Sequence, residues 1–212
     1  MVVVIEPGDG KTDAESPSSS WLLLLAQLPS SPSSARVALW RRLRAIGATG
    51  LVNSAWVLPY AAPHAEFFGQ LLETVRGQGG DGFVLTVSPA SPDVNEAIVR
   101  RFRADRGREY GEFAEQCSAF RDEISKETRA GKFIFAELEE REHDLEKLTR
   151  WLAKIQARDF FADGSSAQAV EMLRGCRRAL RGFGRQVYDA ESAQEPAGAD
   201  DEDTGDESGT SE

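Results

Sequence analysis

A chain of 212 residues has room for one domain of ordinary size with extensions, and its 41% hydrophobic content is that of a soluble globular protein. Its best apolar run, WLLLLAQL at 21–28, is strand length and far short of the roughly 20 residues a membrane helix needs, so no membrane role is expected. The net charge of −10 hides a division: residues 17–190 hold 22 acidic and 24 basic side chains, and the excess acidity resides in the two termini.

In chain order, residues 1–18 read as a disordered arm. The acidic EPGDGKTDAE stands where a secretory signal would carry basic residues, and no small-residue cleavage site follows the apolar run, so the expected compartment is the cytoplasm. Residues 19–92 read as one α+β domain. Ser and Pro frame the run at 21–28 as a strand, and Ser33 or Ser34 is placed to cap a helix beginning near Ala35. That helix is expected to turn Trp40, Leu43 and Ile46, with Leu39 beside them, toward a sheet. IGATG stops it, and LVNSAWVLPY follows as a β-rich stretch long enough to bend into two strands, with Pro59 confined to an end or edge. A second helix is predicted over Ala62–Gly77, where Phe67, Phe68, Leu71, Leu72 and Val75 recur at helical spacing. The glycines of GQGGDG end it before the strand FVLTVSP, in which Phe83, Leu85 and Val87 alternate. Two helices on one face of a small antiparallel sheet is the ferredoxin-like plan, so the expected fold class is α+β.

From Asp93 the pattern changes, and residues 93–190 read as a helical domain. Ile98, Phe102, Tyr110, Phe113, Cys117, Phe120 and Ile124 step by three and four residues until RAGKF interrupts them. Two more stripes follow, over about Ala136–Ala157 and about Ser166–Val187. None of the three could stand alone in water, so an antiparallel helical hairpin or bundle is expected, with one stripe docked on the sheet. Cys117 and Cys176 fall within these stripes as small hydrophobes. Residues 191–212 carry nine acidic side chains and no basic one, which reads as a disordered tail. The tail serves either as a solubilising segment or as an electrostatic competitor for a basic face.

The machinery of an enzyme is missing from the sequence. Only His64 and His143 could act as imidazole bases, and neither lies in a recognisable nucleophile motif. The glycines of VRGQGGDG follow a helix and precede a strand, the reverse of the phosphate-cradling order. Glu139, Glu140 and His143 have metal-like spacing on a helix, but there is no second Glu-x-x-His, and a charged helix surface accounts for them. No catalysis, cofactor or metal is therefore expected. Arginine is the stronger signal: Arg100, Arg101, Arg103, Arg106 and Arg108 crowd one segment, and Arg174, Arg177, Arg178, Arg181 and Arg185 another. A guanidinium binds oxyanions through a planar fork of donors, so these clusters are candidates for DNA phosphates or a sulfate- or chromate-like oxyanion. The candidate contacts are Arg100, Arg101, Arg103, Arg106, Arg177, Arg178, Arg181 and Arg185. Ion pairing with carboxylates of neighbouring helices is the plainer use of the same side chains.

A set of ordered apolar, Gly and charged positions carries a family resemblance. ARVALWRRLRAIGATGLVNSAWVLP, GREYGEFAEQCSAFRDEISKETRAGKFIFAELEEREHDLEKLTRWLAKIQARDFF and RRALRGFGRQVYDAE resemble the N-terminal region of ChrB-type chromate-resistance regulatory proteins. The similarity runs over most of residues 20–190. It implies a bacterial cytoplasmic protein tied to chromate resistance, whose full-length relatives are chromium-responsive transcription regulators. Those relatives continue into a further domain where an acidic tail stands here, which implies that a separate protein carries that domain. The sheet and its helices are also similar to the middle domain of PaaX-type repressors and to the small CRISPR-associated ribonuclease fold. In that nuclease an Asp ends the first strand, whereas Gln27 stands here, against nuclease activity. Two roles remain open: a homodimeric regulator or sensor that binds DNA or an oxyanion, and an adaptor that docks a partner protein through its helical domain.

Overall fold

The computed structural model describes residues 20–31 and 33–194. The disordered arm expected over 1–18 lies outside them, as does all but the first four residues of the tail expected over 191–212; residues 191–194 are helical rather than disordered. The chain runs β1 (Trp21–Gln27), α1 (Ser33–Ile46), β2 (Thr49–Val52), β3 (Ala55–Pro59), α2 (Ala62–Gly77) and β4 (Asp81–Val87). It then enters three long helices, α3 (Pro92–Arg129), α4 (Phe135–Gln156) and α5 (Ser165–Gln194). The four strands form one antiparallel sheet in the order β2-β3-β1-β4. The fold is α+β, as the sequence leads one to expect, and the β-rich stretch after α1 does divide in two, with Ser54 of the hairpin turn at a φ of 67°.

The continuous apolar character of β1 has a simple cause. A strand covered on one face alternates, whereas one covered on both faces reads as an unbroken hydrophobic run. Leu22, Leu24 and Ala26 face Leu43 of α1 and Phe68, Leu71, Leu72 and Val75 of α2. Trp21, on the opposite face beside Val57, packs instead on Val99 and Phe102 of α3 and on Phe160 and Phe161 from the segment between α4 and α5. The Trp21 and Phe102 rings stack with centroids 5.6 Å apart, and the indole N–H donates to Asn95 Oδ1 at 2.9 Å. Burying each such large side chain contributes about 1.5–3 kcal/mol. Coverage thins along the row: Phe83 of β4, paired with Leu25 of β1, is left 55% exposed.

Helix α3 starts where Ser91 Oγ accepts the Val94 amide and Pro92 occupies the first turn, where its missing N–H costs nothing. It runs for 38 residues, ~57 Å at 1.5 Å per residue. At its end Gly131 adopts a φ of 65°, and the Gly131 and Lys132 amides bond back to Thr128 and Glu127. Beyond the sheet, α3 joins α4 and α5 in a three-helix bundle. Its core takes Phe113, Cys117, Phe120 and Ile124 from α3, Leu148, Leu152 and Ile155 from α4, and Leu173, Cys176 and Phe183 from α5. The two cysteines are free and buried, and Cys176 Sγ donates to the Cys117 carbonyl at 3.5 Å. The neighbouring Cys176 thiol, together with burial, pushes the Cys117 thiol well above its ordinary range, as suits a packing residue.

One expectation needs correction. Trp40 does not face the sheet: it is 52% exposed, while Leu43 is fully buried with Leu39 and Ile46 packed beside it. The spacing 39, 43, 46 defines a single stripe, and Trp40 lies about 100° around the helix from its neighbour Leu39. Its ring lies against the Arg44 guanidinium, 5.8 Å from centroid to Cζ. Leu43→Ala should therefore cost about 2–5 kcal/mol in urea unfolding. Trp40→Ala should cost no more than about 1 kcal/mol, and the reverse order would put Trp40 inside.

Candidate functional site

The arginines that are neighbours in sequence are separated by the helix, because each residue turns about 100° from the last. On α3, Arg101 Nη1 reaches across to the carbonyls of Gly50 and Leu51 at 3.2 and 2.6 Å, which staples the helix to β2. Arg103 pairs with Glu96 at 3.4 Å and donates to the Phe161 carbonyl. Arg108 pairs with Asp105, and Arg100 is exposed with no ion pair among the described residues. Arg106 points the other way and is 3% exposed. The α3 cluster is thus four differently engaged side chains and one, Arg100, without an ion pair among the described residues.

On α5 the arginines stay outside. Arg174 and Arg178 share Glu171 at 3.3 and 3.0 Å, and Arg177 Nη2 lies 3.5 Å from Thr149 Oγ1. Arg178, Arg181 and Arg185 follow i, i+3, i+7 spacing and line a groove of about 420 Å³. Arg181 and Arg185 are exposed and have no ion-pair partner among the described residues. These three form a compact exposed basic surface.

A second group of arginines gathers where sheet meets bundle, from positions remote in sequence. Arg44 ends α1, Arg106 lies on α3, and Arg158 follows α4. Gly47 lets the last of these approach: with a φ of 86°, it lies so close that an added Cβ would be 2.9 Å from Arg158 Cβ. Arg158 donates to Glu109 Oε2 at 2.9 Å and to the Arg44 carbonyl at 3.2 Å. Arg44 pairs with Asp105 at 3.2 Å and approaches Glu109 at 3.9 Å. The Thr49 hydroxyl donates to Asp105 Oδ2 at 3.0 Å. Arg106 Nη2 is 3.1 Å from Glu109 Oε1, an ion pair by distance, yet Nε, Nη1 and Nη2 all lack a hydrogen bond among the described residues. Burial draws the Arg106 guanidinium below its usual range; Glu109 opposes the shift, and the charges of Arg158 and Arg44 deepen it.

Sequence spacing missed Arg44, Asp105, Glu109, Thr49 and Arg158 as a group. One signal was present. The α3 stripe steps 99, 102, then 110, 113, 117, and position 106 of that stripe is filled by Arg. A charge at a core position of an otherwise apolar stripe marks a place where something polar is enclosed.

The remaining candidates are placed elsewhere. Gln27 ends β1 opposite Asp81 and is exposed. His64 Nδ1 lies 2.8 Å from the Pro59 carbonyl, its ring edge-on to Phe160. Glu140 pairs with Arg141, and Glu139 and His143 are exposed; no group of three or more His, Cys, Asp or Glu side chains among the described residues could hold a metal ion. No helix among the described residues is long and apolar enough to cross a membrane.

The chain is an arginine-rich α+β protein in which a four-stranded sheet is joined to a three-helix bundle. The family described as "Protein ChrB, N-terminal" matches residues 36–194, and the chain belongs to it. It is 33% identical over 165 residues to Protein ChrB of Cupriavidus metallidurans, an alignment that covers 78% of this chain and 48% of that protein. The chain therefore spans about half the length of this curated relative. No solved structure matches it.

Beside the junction, Tyr110 donates to Asp159 Oδ2 at 2.9 Å, and burial, with Asp159, pushes its phenol up to about 12. The raised value means that the folded chain holds this proton after the unfolded chain, with a phenol near 10, has lost it. Stability from this group is complete below pH 10 and falls as pH rises toward 12. Thermal unfolding between pH 8 and 11 should show an alkaline decline that is shallower in Tyr110→Phe than in the parent; parallel profiles would contradict the assignment.

Proposed function

We propose that this chain is a non-catalytic regulatory protein of chromate resistance that binds DNA phosphates through the exposed arginines of α5. The observation that carries the reading is the groove lined by Arg178, Arg181 and Arg185, with the last two lacking ion-pair partners among the described residues. Carboxylates engage most of the α3 arginines and Arg178, whereas Arg181 and Arg185 remain available to an external anion. An exposed, one-sided row suits an extended polyanion better than a small one. Several modest contacts to successive phosphates add up, and each releases counterions. Membership of the ChrB family supports the link to chromate resistance. Action as a homodimer and cytoplasmic location belong to the same proposal.

An adaptor role is the second reading, and one feature favours it. Ile134, Phe135 and Tyr188 are exposed at the end of the bundle where α3 turns into α4, with the Phe135 and Tyr188 rings edge to face at 5.2 Å. Exposed apolar side chains grouped in this way are common at protein contacts.

The two readings separate in a salt titration with a labelled duplex from the promoter region upstream of this chain's own gene. The DNA reading expects log–log affinity to fall with salt, and Arg181→Gln with Arg185→Gln to flatten the slope by roughly 0.9 for each phosphate no longer neutralised. No retention of the duplex even at low salt would sink it and leave the adaptor reading, for which Phe135→Ser with Tyr188→Ser should weaken partner capture without changing DNA affinity.

A further inference from the structure

The exposed face of α5 holds more guanidinium than its own helix matches. Arg178 shares Glu171 with Arg174, but Arg181 and Arg185 have no ion-pair partner among the described residues. Asp189, one turn beyond Arg185, is exposed and forms no ion pair with it. On α3, by contrast, Arg101, Arg103 and Arg108 are held by carbonyls or carboxylates. The chain carries its own anion for the α5 groove. Residues 195–212 hold eight acidic side chains and no basic one, and six of the eight fall within residues 200–207.

Where α5 stops decides whether that stretch can return to the row. The helix ends at Gln194, and Pro196 stands two residues on. Proline disfavours helical backbone in the residue before it, and Gly198 accepts the turn that a reversal needs. Arg185 lies ~14 Å back along the axis from Gln194, and Arg178 ~24 Å, at 1.5 Å per residue. At about 3.3 Å per extended residue, Asp200 reaches ~20 Å from Gln194 and Glu207 ~43 Å. A chain that folds back after α5 can therefore lay its acidic stretch along all three arginines.

We propose that residues 200–207 dock on Arg178, Arg181 and Arg185 of the same chain and compete there with a nucleic-acid backbone. Carboxylates meet guanidinium forks as phosphates do. Single exposed pairs are weak, so a free peptide of this composition would bind poorly. The same stretch joined to α5 through residues 195–199 meets the row at an effective concentration that is roughly millimolar, and a few weak pairs then suffice. Six carboxylates over eight extended residues give about one charge per 4 Å, whereas a duplex presents about one per 1.7 Å. A duplex can therefore displace the acidic stretch, and a sparser polyanion cannot. The competition rests on the DNA reading above; the contact between the acidic stretch and the row does not.

Two measurements on the full chain test this, against a neutralised variant carrying Asp200→Asn, Asp201→Asn, Glu202→Gln, Asp203→Asn, Asp206→Asn and Glu207→Gln. The first reads the contact without DNA. A nitroxide attached at Ser208→Cys is selective, because Cys117 and Cys176 are buried. At low salt it should broaden the amide resonances of Arg181 and Arg185 in the otherwise native chain and spare them in the neutralised one. About 1 M salt, where the screening length falls to ~3 Å, should abolish the difference. Equal broadening in the two chains at low salt would overturn the proposal. The second reads competition by titrating the labelled promoter duplex. The neutralised variant should bind about tenfold more tightly at low salt, the factor for a row left free one-tenth of the time. The gain should vanish in the Arg181→Gln, Arg185→Gln background. A duplex bound equally or more weakly by the neutralised chain would also overturn the proposal. A duplex retained by no variant would instead sink the DNA reading, and the broadening alone would then decide whether the acidic stretch lies on the row.

Discussion

A helix of 38 residues that serves two cores sets the terms for the rest of this molecule. The first turns of α3 place Val99 and Phe102 against the sheet, and its later turns place Phe113, Cys117, Phe120 and Ile124 inside the bundle. Both sets lie on one continuous stripe, so one face of the helix is never free. Between them lies a stretch in which neither apolar core is complete, and there the stripe position is Arg106, flanked by Asp105 and Glu109. Charge at the seam is a consequence of joining two layers with one rod. It must be matched from outside the helix, and Arg44, Thr49 and Arg158 are what the other elements supply.

The seam also accounts for the less regular parts of the chain. Phe160 and Phe161, in the connection between α4 and α5, fill the space beside Phe102 and Trp21, which brings Arg158 onto the turn after α1. Gly47 is required there because the left-handed turn and the approach of Arg158 both exclude a side chain. Arg101, bonded to two β2 carbonyls, holds the same helix to the edge strand. Sheet and bundle are thus joined by an apolar contact and a polar one, side by side, along about two turns of α3.

Sequence periodicity reveals most of this architecture because most of it is repetition. The runs at 21–28 and the three helical stripes each carry enough apolar residues to identify their element, and the observed boundaries lie within a few residues of those expected except at the end of α5, which runs on from Val187 to Gln194. The register of α1 was not legible in the same way. Trp40 and Leu43 both fit a 3.6-residue period, and the size of a Trp says nothing about which of two adjacent stripes faces inward; Leu43, opposed by the α2 core, decides it. The arginine groups show a sharper contrast. Arg178, Arg181 and Arg185 are legible because one helix face brings them together. Arg44, Arg106 and Arg158 converge only through tertiary packing, and no local window contains any two of them.

Those two groups differ in physics more than in composition. On α5 the charges stand in water, where a contact is screened within about 8 Å at physiological ionic strength and is worth little singly. Such a row gains strength only by engaging several phosphates together, and it loses that strength as salt rises. At the seam the dielectric is lower and the guanidinium groups are held against Asp105 and Glu109, so each contact is stronger and less sensitive to bulk salt. The same side chain thus stands in two settings: exposed and strongly screened on α5, enclosed and set against Asp105 and Glu109 at the seam. Helix α3 packs against α5 along the bundle and carries Arg106 at the seam, so one helix adjoins both settings. The seam, rather than the exposed row, is where the fold itself has been shaped around a charge.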